Sequence, residues 1–153
     1  MLSRRLILLS LASLAACGGG PQTANKAPGN PPLHHNETPQ LRALINRYSD
    51  HYGVPRSLTH RVIQRESRYR PEARNGPYFG LMQISPQTAR GMGFRGTPHD
   101  LLDADTNLKY GVKYLRGAWM VADGSEERAV KWYARGYYYE AKKRGLLKQT
   151  GLR

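Results

Sequence analysis

Apolar residues recur at three- and four-residue intervals along most of the chain beyond position 40, separated by gaps rich in Gly, Pro and Asn. Thr38-Pro39 opens a stretch with Leu41, Leu44, Ile45 and Tyr48 on one side, which predicts a capped amphipathic helix. Gly53 and Pro55 mark its end. Leu58, Val62 and Glu66 then share one face at four-residue steps, with Ile63 adjacent, and Pro71 is expected to stop this second helix. Glu72 to Phe79 reads as a loop with Asn75-Gly76-Pro77 as turn chemistry. Ser85-Pro86 predicts an N-cap with proline at the first helical position of a short helix that ends at Gly91 and Gly93. Leu101-Leu102 leads into a helix from about Asp105 with Leu108, Val112 and Leu115 inward. Ser125 caps another, with Val130, Tyr133 and Tyr137 on one stripe. Only Tyr78 to Ile84 looks strand-like. The pattern predicts a mainly α, single domain with a minimal β-like segment and no internal repeat.

The start of the chain follows a different logic. Met1-Leu2-Ser3-Arg4-Arg5 is a positive region, and Leu6 to Ala16 is an apolar run of eleven residues. Spanning a bilayer takes about twenty, so residues 1–16 read as a signal peptide and stand outside the fold. The run ends in Leu14-Ala15-Ala16-Cys17, similar to the bacterial lipobox, in which the cysteine takes a diacylglycerol thioether after cleavage. That resemblance implies lipidation at Cys17 and a membrane anchor; the plainer reading is a secreted protein cut after an Ala-x-Ala-like site. Gly18, rather than Asp, follows the cysteine, which by the same resemblance places the chain on the periplasmic face of the outer membrane of a Gram-negative cell. Gly18 to Pro39 is rich in Pro, Gly, Asn and Thr, so residues 17–39 are expected to be a lipidated tether and residues 40–153 the folded domain. His34-His35 lies in that tether. Two adjacent histidines do not face one metal from a rigid scaffold, so no metal site is expected.

Charge and cysteine usage then narrow the classes. Cys17 is the only cysteine, so the domain has no internal disulfide and must stand on its core. The chain holds 24 Lys and Arg against 11 Asp and Glu, and setting aside Arg4, Arg5, Lys26 and Glu37 leaves 21 against 10. So cationic a domain attracts polyanions. Nucleic acid is the generic reading, but an exported chain meets acidic peptidoglycan stems and anionic headgroups instead. Lys142-Lys143-Arg144 is a solvated face or a membrane-surface contact.

Two motif-like strings carry no chemistry. Gly91-Met92-Gly93-Phe94-Arg95-Gly96 spells a dinucleotide fingerprint, but it follows a helix and runs into Thr97-Pro98, whereas the fingerprint follows a strand and opens a helix. Asp103-Ala104-Asp105-Thr106-Asn107 begins like a calcium loop, yet Leu108 replaces the needed glycine and Tyr114 the bidentate glutamate. These acids read as N-terminal charges favoured by the helix dipole. No cofactor is implied.

Glu66 is the candidate acid. Sharing a helix face with Leu58 and Val62, it should be desolvated and its pKa raised, as a general acid requires. Taken alone the helix also allows a glutamate paired with Arg65, Arg68 or Arg70 at its edge. The wider context separates these. Glu66-Ser67, Pro71, Gly80-Leu81-Met82-Gln83-Ile84, Thr88-Ala89, Asn107 with Gly111, and Tyr114-Leu115 occur in order, and as a set they resemble the soluble lytic transglycosylase (SLT) domain, over about residues 41–140. The resemblance implies a goose-type lysozyme-like fold with Glu66 as sole catalytic acid and base. It also implies that Met82 and Gln83 line the groove and touch acetamido sugars, and that Tyr133 approaches the carboxylate. By the same token Asn75, Gly80 and Asn107 are expected to bind substrate. The family often carries Tyr-Asn-x-Gly where this chain has Tyr133-Ala134-Arg135-Gly136, and Asn75 falls near a serine that bonds the carboxylate. Tyr137, Tyr138 and Tyr139 either wall a sugar site or divide into one inward and two surface rings.

The reaction implied cuts the β-1,4 bond from N-acetylmuramic acid to N-acetylglucosamine and leaves a 1,6-anhydro ring, with peptidoglycan strands as partner and a monomeric enzyme. The alternatives are a murein-binding lipoprotein that lost turnover through Ala134 and Asn75, and a hydrolytic lysozyme.

Overall fold

Thr38 begins the first helix, as its spacing predicts. Its hydroxyl accepts a hydrogen bond from the Leu41 N–H at 3.1 Å, Pro39 needs no partner at the first position, and Gly53 at φ +63° closes α1 (Pro39–Tyr52). The computed structural model describes residues 31–152, so Cys17 and the signal-like segment lie outside the described residues. α2 (Arg56–Glu66) buries Leu58, Thr59, Val62 and Ile63. It stops at Glu66, five positions before Pro71, because Arg68 and Tyr69 adopt left-handed φ of +52° and +61°. That conformation is costly for residues with a Cβ. It is held by the Tyr69 ring, which is fully buried, and by its hydroxyl, 2.9 Å from Nδ1 of His60.

The strand-like segment is shorter and more folded than alternation suggested. β1 (Arg74–Asn75) pairs antiparallel with β2 (Tyr78–Phe79) in the register Arg74 to Phe79 and Asn75 to Tyr78. Gly76, at φ +55°, supplies the turn. The chain then doubles back rather than running on: Phe79 and Ile84 exchange two backbone hydrogen bonds at 3.2 Å, and Gly80 and Gln83 turn through φ +71° and +46°. A Cβ at Gly80 would overlap the Asn107 amide and the Leu101 carbonyl, so this corner needs glycine twice over.

α3 (Pro86–Gly91) starts at Ser85, whose hydroxyl accepts from the Thr88 N–H at 3.1 Å. A 3-10 turn (Pro98–Leu102) leads into α4 (Ala104–Val121), capped by Asp103, which accepts from the Thr106 N–H at 2.8 Å. Asp105 pairs with Arg47 at 2.7 Å and accepts from the Tyr48 hydroxyl at 2.9 Å. The acids of the calcium-like string are thus spent on a helix cap and a link to α1. α4 is the central element: α1, α3, α5 (Glu126–Arg135), α7 (Leu147–Thr150) and the 3-10 turn all pack on it. Its inward face includes Leu108, Val112, Leu115, Ala118 and Val121. The stripe Val130, Tyr133, Tyr137 crosses a break, since Gly136 at φ +85° ends α5 before α6 (Tyr138–Lys143). Tyr137 still turns inward, and its hydroxyl donates to the Tyr114 carbonyl at 2.8 Å.

Pro32 to Thr38, placed with the tether on composition, lie against the helices. Few apolar residues are needed because polar contacts hold the segment. The Glu37 side chain is fully covered and pairs with Arg42 at 2.6 Å, and Arg42 also donates to the Pro32 carbonyl at 2.9 Å. The His34 ring stacks on Tyr69 at 4.8 Å.

Two apolar clusters result. The larger joins α1, α2, α4 and α5; the smaller, with Phe79, Ile84, Ala89, Phe94 and Leu101, lies under the hairpin and α3. Asn107, fully buried, links them. Its side chain accepts from the Met82 N–H at 2.9 Å and donates to the Phe79 and Leu101 carbonyls, both at 2.8 Å. Asn107→Ala removes three buried hydrogen bonds and leaves the Met82 N–H without its partner, and we expect a loss of about 3–4 kcal/mol in chemical denaturation. A loss below about 1 kcal/mol would show that this junction is not what joins the clusters.

Candidate active site

An open groove of about 620 Å³ lies where the two clusters meet. The last turn of α2 contributes Arg65 and Glu66, the hairpin Asn75 and Tyr78, and the doubled-back loop Gln83 to Ser85. α3 adds Gln87 and Thr88, α4 Tyr114, and the end of α5 Tyr133 to Gly136. Glu66 is the only carboxylate among these lining residues.

Burial holds the Glu66 pKa above the ordinary glutamate value, against the opposing pull of Arg65. The Arg65 Nε stands 3.6 Å from Glu66 Oε1, a pairing on distance alone. That separation is beyond hydrogen-bond range, and the Arg65 side chain is 54% exposed against 24% for Glu66. Water screens the guanidinium more than it solvates the carboxylate, so desolvation prevails. Glu66 also sits in the last turn of α2, where the carbonyl dipoles disfavour negative charge. Among the described residues no hydrogen bond reaches its carboxyl group. The structure thus separates the two readings of this residue: Glu66 is a partly desolvated acid in a groove rather than the exposed half of a salt bridge.

Tyr133 lies beside it. Its hydroxyl donates to the Met82 carbonyl at 2.8 Å. Burial first, and the neighbouring Glu66 charge second, keep this phenol protonated well above its usual range. Tyr114 packs edge-on against Tyr133 at 5.3 Å, and burial pushes its pKa up to about 12. The two rings give the acid an apolar wall.

The expected substrate-binding residues divide into two groups. Asn75, Gln83 and Tyr133 line the groove. The Gln83 side chain faces two carbonyls, Ala73 at 3.0 Å and Gly80 at 2.9 Å, so its amide nitrogen points inward and its oxygen is left for a ligand. Gly80, Met82 and Asn107 are buried and do not line the groove. Met82 packs on Gly111, where a Cβ would come within 2.7 Å of its sulfur, and Asn107 spends its amide on backbone groups. These three pack behind the groove wall. Asn75 makes no hydrogen bond to Glu66 among the described residues. Tyr137 is buried, whereas Tyr138 and Tyr139 are exposed outside the groove, so these tyrosines form no sugar wall. Tyr78, Gln87, Tyr114 and Arg135 were not singled out from sequence as groove residues. Tyr78 had a signal in its place beside the Gly76-Pro77 turn, and 47% of it is exposed.

Residues 43–150 are matched by a family model described as Transglycosylase SLT domain. The chain belongs to this family. The SLT chain is 34% identical over 80 residues to the membrane-bound lytic murein transglycosylase C of Haemophilus influenzae strain PittEE, covering 47% of this chain and 22% of that protein. The counterpart from strain ATCC 51907 / DSM 11121 / KW20 / Rd gives the same figures. The match therefore spans about a fifth of these relatives. No solved structure matches the chain.

A carboxyl with a raised folded-state pKa has a consequence for stability. As pH rises through the ordinary glutamate range, the unfolded chain loses its Glu66 proton first, so ionisation favours unfolding. Stability from this site is complete below that range and falls until the folded pKa is passed. Glu66→Gln removes the effect. We expect its melting temperature to exceed that of the parent at about pH 8, with the gain shrinking as pH falls below the usual glutamate value. A lower melting temperature for the variant at about pH 8 would contradict the desolvated acid.

Proposed function

We propose that the chain is a peptidoglycan lytic transglycosylase acting on the β-1,4 bond from N-acetylmuramic acid to N-acetylglucosamine. The observation that carries this is a partly desolvated carboxyl, Glu66, standing as the one acid among the lining residues of an open groove. Hydrolysis by the usual glycosidase scheme uses two carboxyl groups about 5–10 Å apart. Glu66 has no such partner among the groove residues.

One carboxyl suffices if the substrate supplies the nucleophile. Protonated Glu66 gives its proton to the glycosidic oxygen, the C1–O bond breaks, and the electron pair leaves with the N-acetylglucosamine O4. The muramic acetamide is placed to stabilise the positive centre at C1. The Glu66 carboxylate then takes the proton of the C6 hydroxyl, whose oxygen bonds to C1. The products are a 1,6-anhydromuramic end and a free O4 hydroxyl; Glu66 is protonated again and no water is consumed. Asn75 and Gln83 are assigned to the sugar amides and hydroxyls, and Tyr133 to the wall beside the acid.

The relatives' printed name, membrane-bound, supports a membrane-associated periplasmic enzyme, and lipidation of Cys17 at the outer membrane is our reading of how it is held. The second reading is a murein-binding protein without turnover. It draws on Ala134 and on the carboxyl of Glu66, to which no donor is bonded among the described residues.

Digestion of purified murein sacculi followed by mass spectrometry decides among products. We expect anhydro ends, and a loss of at least about 10²–10⁴-fold in their rate with Glu66→Gln. Reducing ends would indicate hydrolysis, and retention on sacculi without fragments the binding reading. Because turnover begins from protonated Glu66, the rate should decline as pH rises through its raised pKa. A rate that climbs steadily into alkaline pH would rule out this role.

A further inference from the structure

We propose that a second cavity, sharing no residue with the groove, binds the phosphate head group of an anionic phospholipid. The cavity, about 870 Å³, forms where the end of α3 meets α4 and α7. Its floor is apolar: Met92 is buried, and Leu147 and Leu152 are half-buried. Around it stand Arg90, Arg95, Lys113 and Lys148, and no acid lines it.

Several cations outside the cavity are paired with acids. Arg42, Arg47, Arg56, Lys131 and Arg144 each meet a carboxylate within 3 Å. None of the four cavity cations has an ion pair among the described residues. They come from three separate parts of the chain, so the fold gathers them rather than the sequence. Like charges around a trough repel one another, and an anion received there relieves that repulsion.

The site is also built. Lys113 is held by a 2.7 Å bond from its ammonium to the Met92 carbonyl, which leaves two N–H donors for a ligand. That bond also offsets the carbonyl end of α3, the one feature here that disfavours an anion. The opposite wall, α7, is fixed on α4 by Arg116, which donates to the Gln149 carbonyl at 2.7 Å. Within α7 the buried Thr150 hydroxyl donates to the Leu146 carbonyl at 2.9 Å, which holds the turn itself.

Cations converging from several sides fit phosphate, whose oxygens accept from Arg forks and Lys together. An apolar floor beneath them fits the glycerol and first methylenes of a lipid, which a free phosphate lacks. The ligand is therefore assigned as a phospholipid with net negative charge.

Isothermal titration of the full chain with dihexanoylphosphatidylglycerol, below its micelle concentration, tests this. We expect one saturable site, and binding of glycerol 3-phosphate at least about tenfold weaker. The double variant Arg95→Glu/Lys148→Glu changes two exposed side chains; it should weaken lipid binding at least about tenfold without shifting the unfolding midpoint. Arg90→Gln/Arg95→Gln, which reverses no charge, should weaken it in the same direction. Glycerol 3-phosphate binding as tightly as the lipid overturns the lipid assignment in favour of a free phosphate. Absence of a saturable site, or unchanged affinity in both variants, overturns the cavity as an anion site.

Discussion

The amide of Asn107 is the constraint on which the site's geometry depends. It fixes the Met82 N–H and the Phe79 and Leu101 carbonyls to the first turns of α4, so the doubled-back loop has one position relative to the central helix. Met82 passes that position on, because its carbonyl accepts the Tyr133 hydroxyl, and Tyr133 lies against Glu66. A line of buried polar contacts thus runs from the scaffold to the tyrosine beside the acid. Each member is satisfied within the protein, which is why burial stabilises the line instead of penalising it. Gly80 and Gly111 are the steric counterparts: one lets the Asn107 amide approach, the other receives Met82.

The end of α2 shows the same economy. Continuing the helix toward Pro71 would place Glu66 mid-helix. Two consecutive left-handed residues end it there instead, at a conformational cost that the buried Tyr69 ring offsets. His60, near the middle of α2, bonds the Tyr69 hydroxyl, and Asn46 Oδ1 lies 3.1 Å from its other ring nitrogen. The termination that positions the acid is therefore anchored to α1 as well as to α2. The docked segment from Pro32 adds to it, since His34 covers the same tyrosine.

Much of this was legible in sequence where the signal is local. Thr38, Ser85, Asp103 and Ser125 act at helix starts, and the inward positions of α1, α2 and α4 follow from apolar spacing. Glu66 was legible too, because an acid on an apolar face is a local pattern. What sequence did not disclose depends on distant partners. Nothing near Met82 says that α4 will cover it, nor near Asn107 that its amide will meet the doubled-back loop, and a family's ordered motif marks residues that support a site as strongly as residues that touch its ligand. The Tyr78–Ile84 run looked extended because its alternation continues through Gly80 and Gln83, whose positive φ no periodicity reports. The docking of Pro32–Thr38 on the helices escapes composition for a related reason. Composition counts apolar residues, whereas Pro32–Thr38 is held by an ion pair and hydrogen bonds.

A strongly cationic domain poses a problem for an acid that must keep its proton, since positive neighbours favour the carboxylate. The structure meets it locally rather than by net charge. Arg65 is close to Glu66 but exposed, so solvent weakens its hold. Arg135, the other guanidinium in the groove, lies 3.7 Å over the Trp132 ring, which gives it an aromatic partner in place of the acid. Elsewhere Arg47, Arg56, Lys131 and Arg144 are matched to surface carboxylates. The electrostatics around Glu66 are thus set by where each arginine is occupied. An arginine released from such a partner toward the groove would deprotonate the acid at the pH where it has to act, with no change in the residues that touch the substrate.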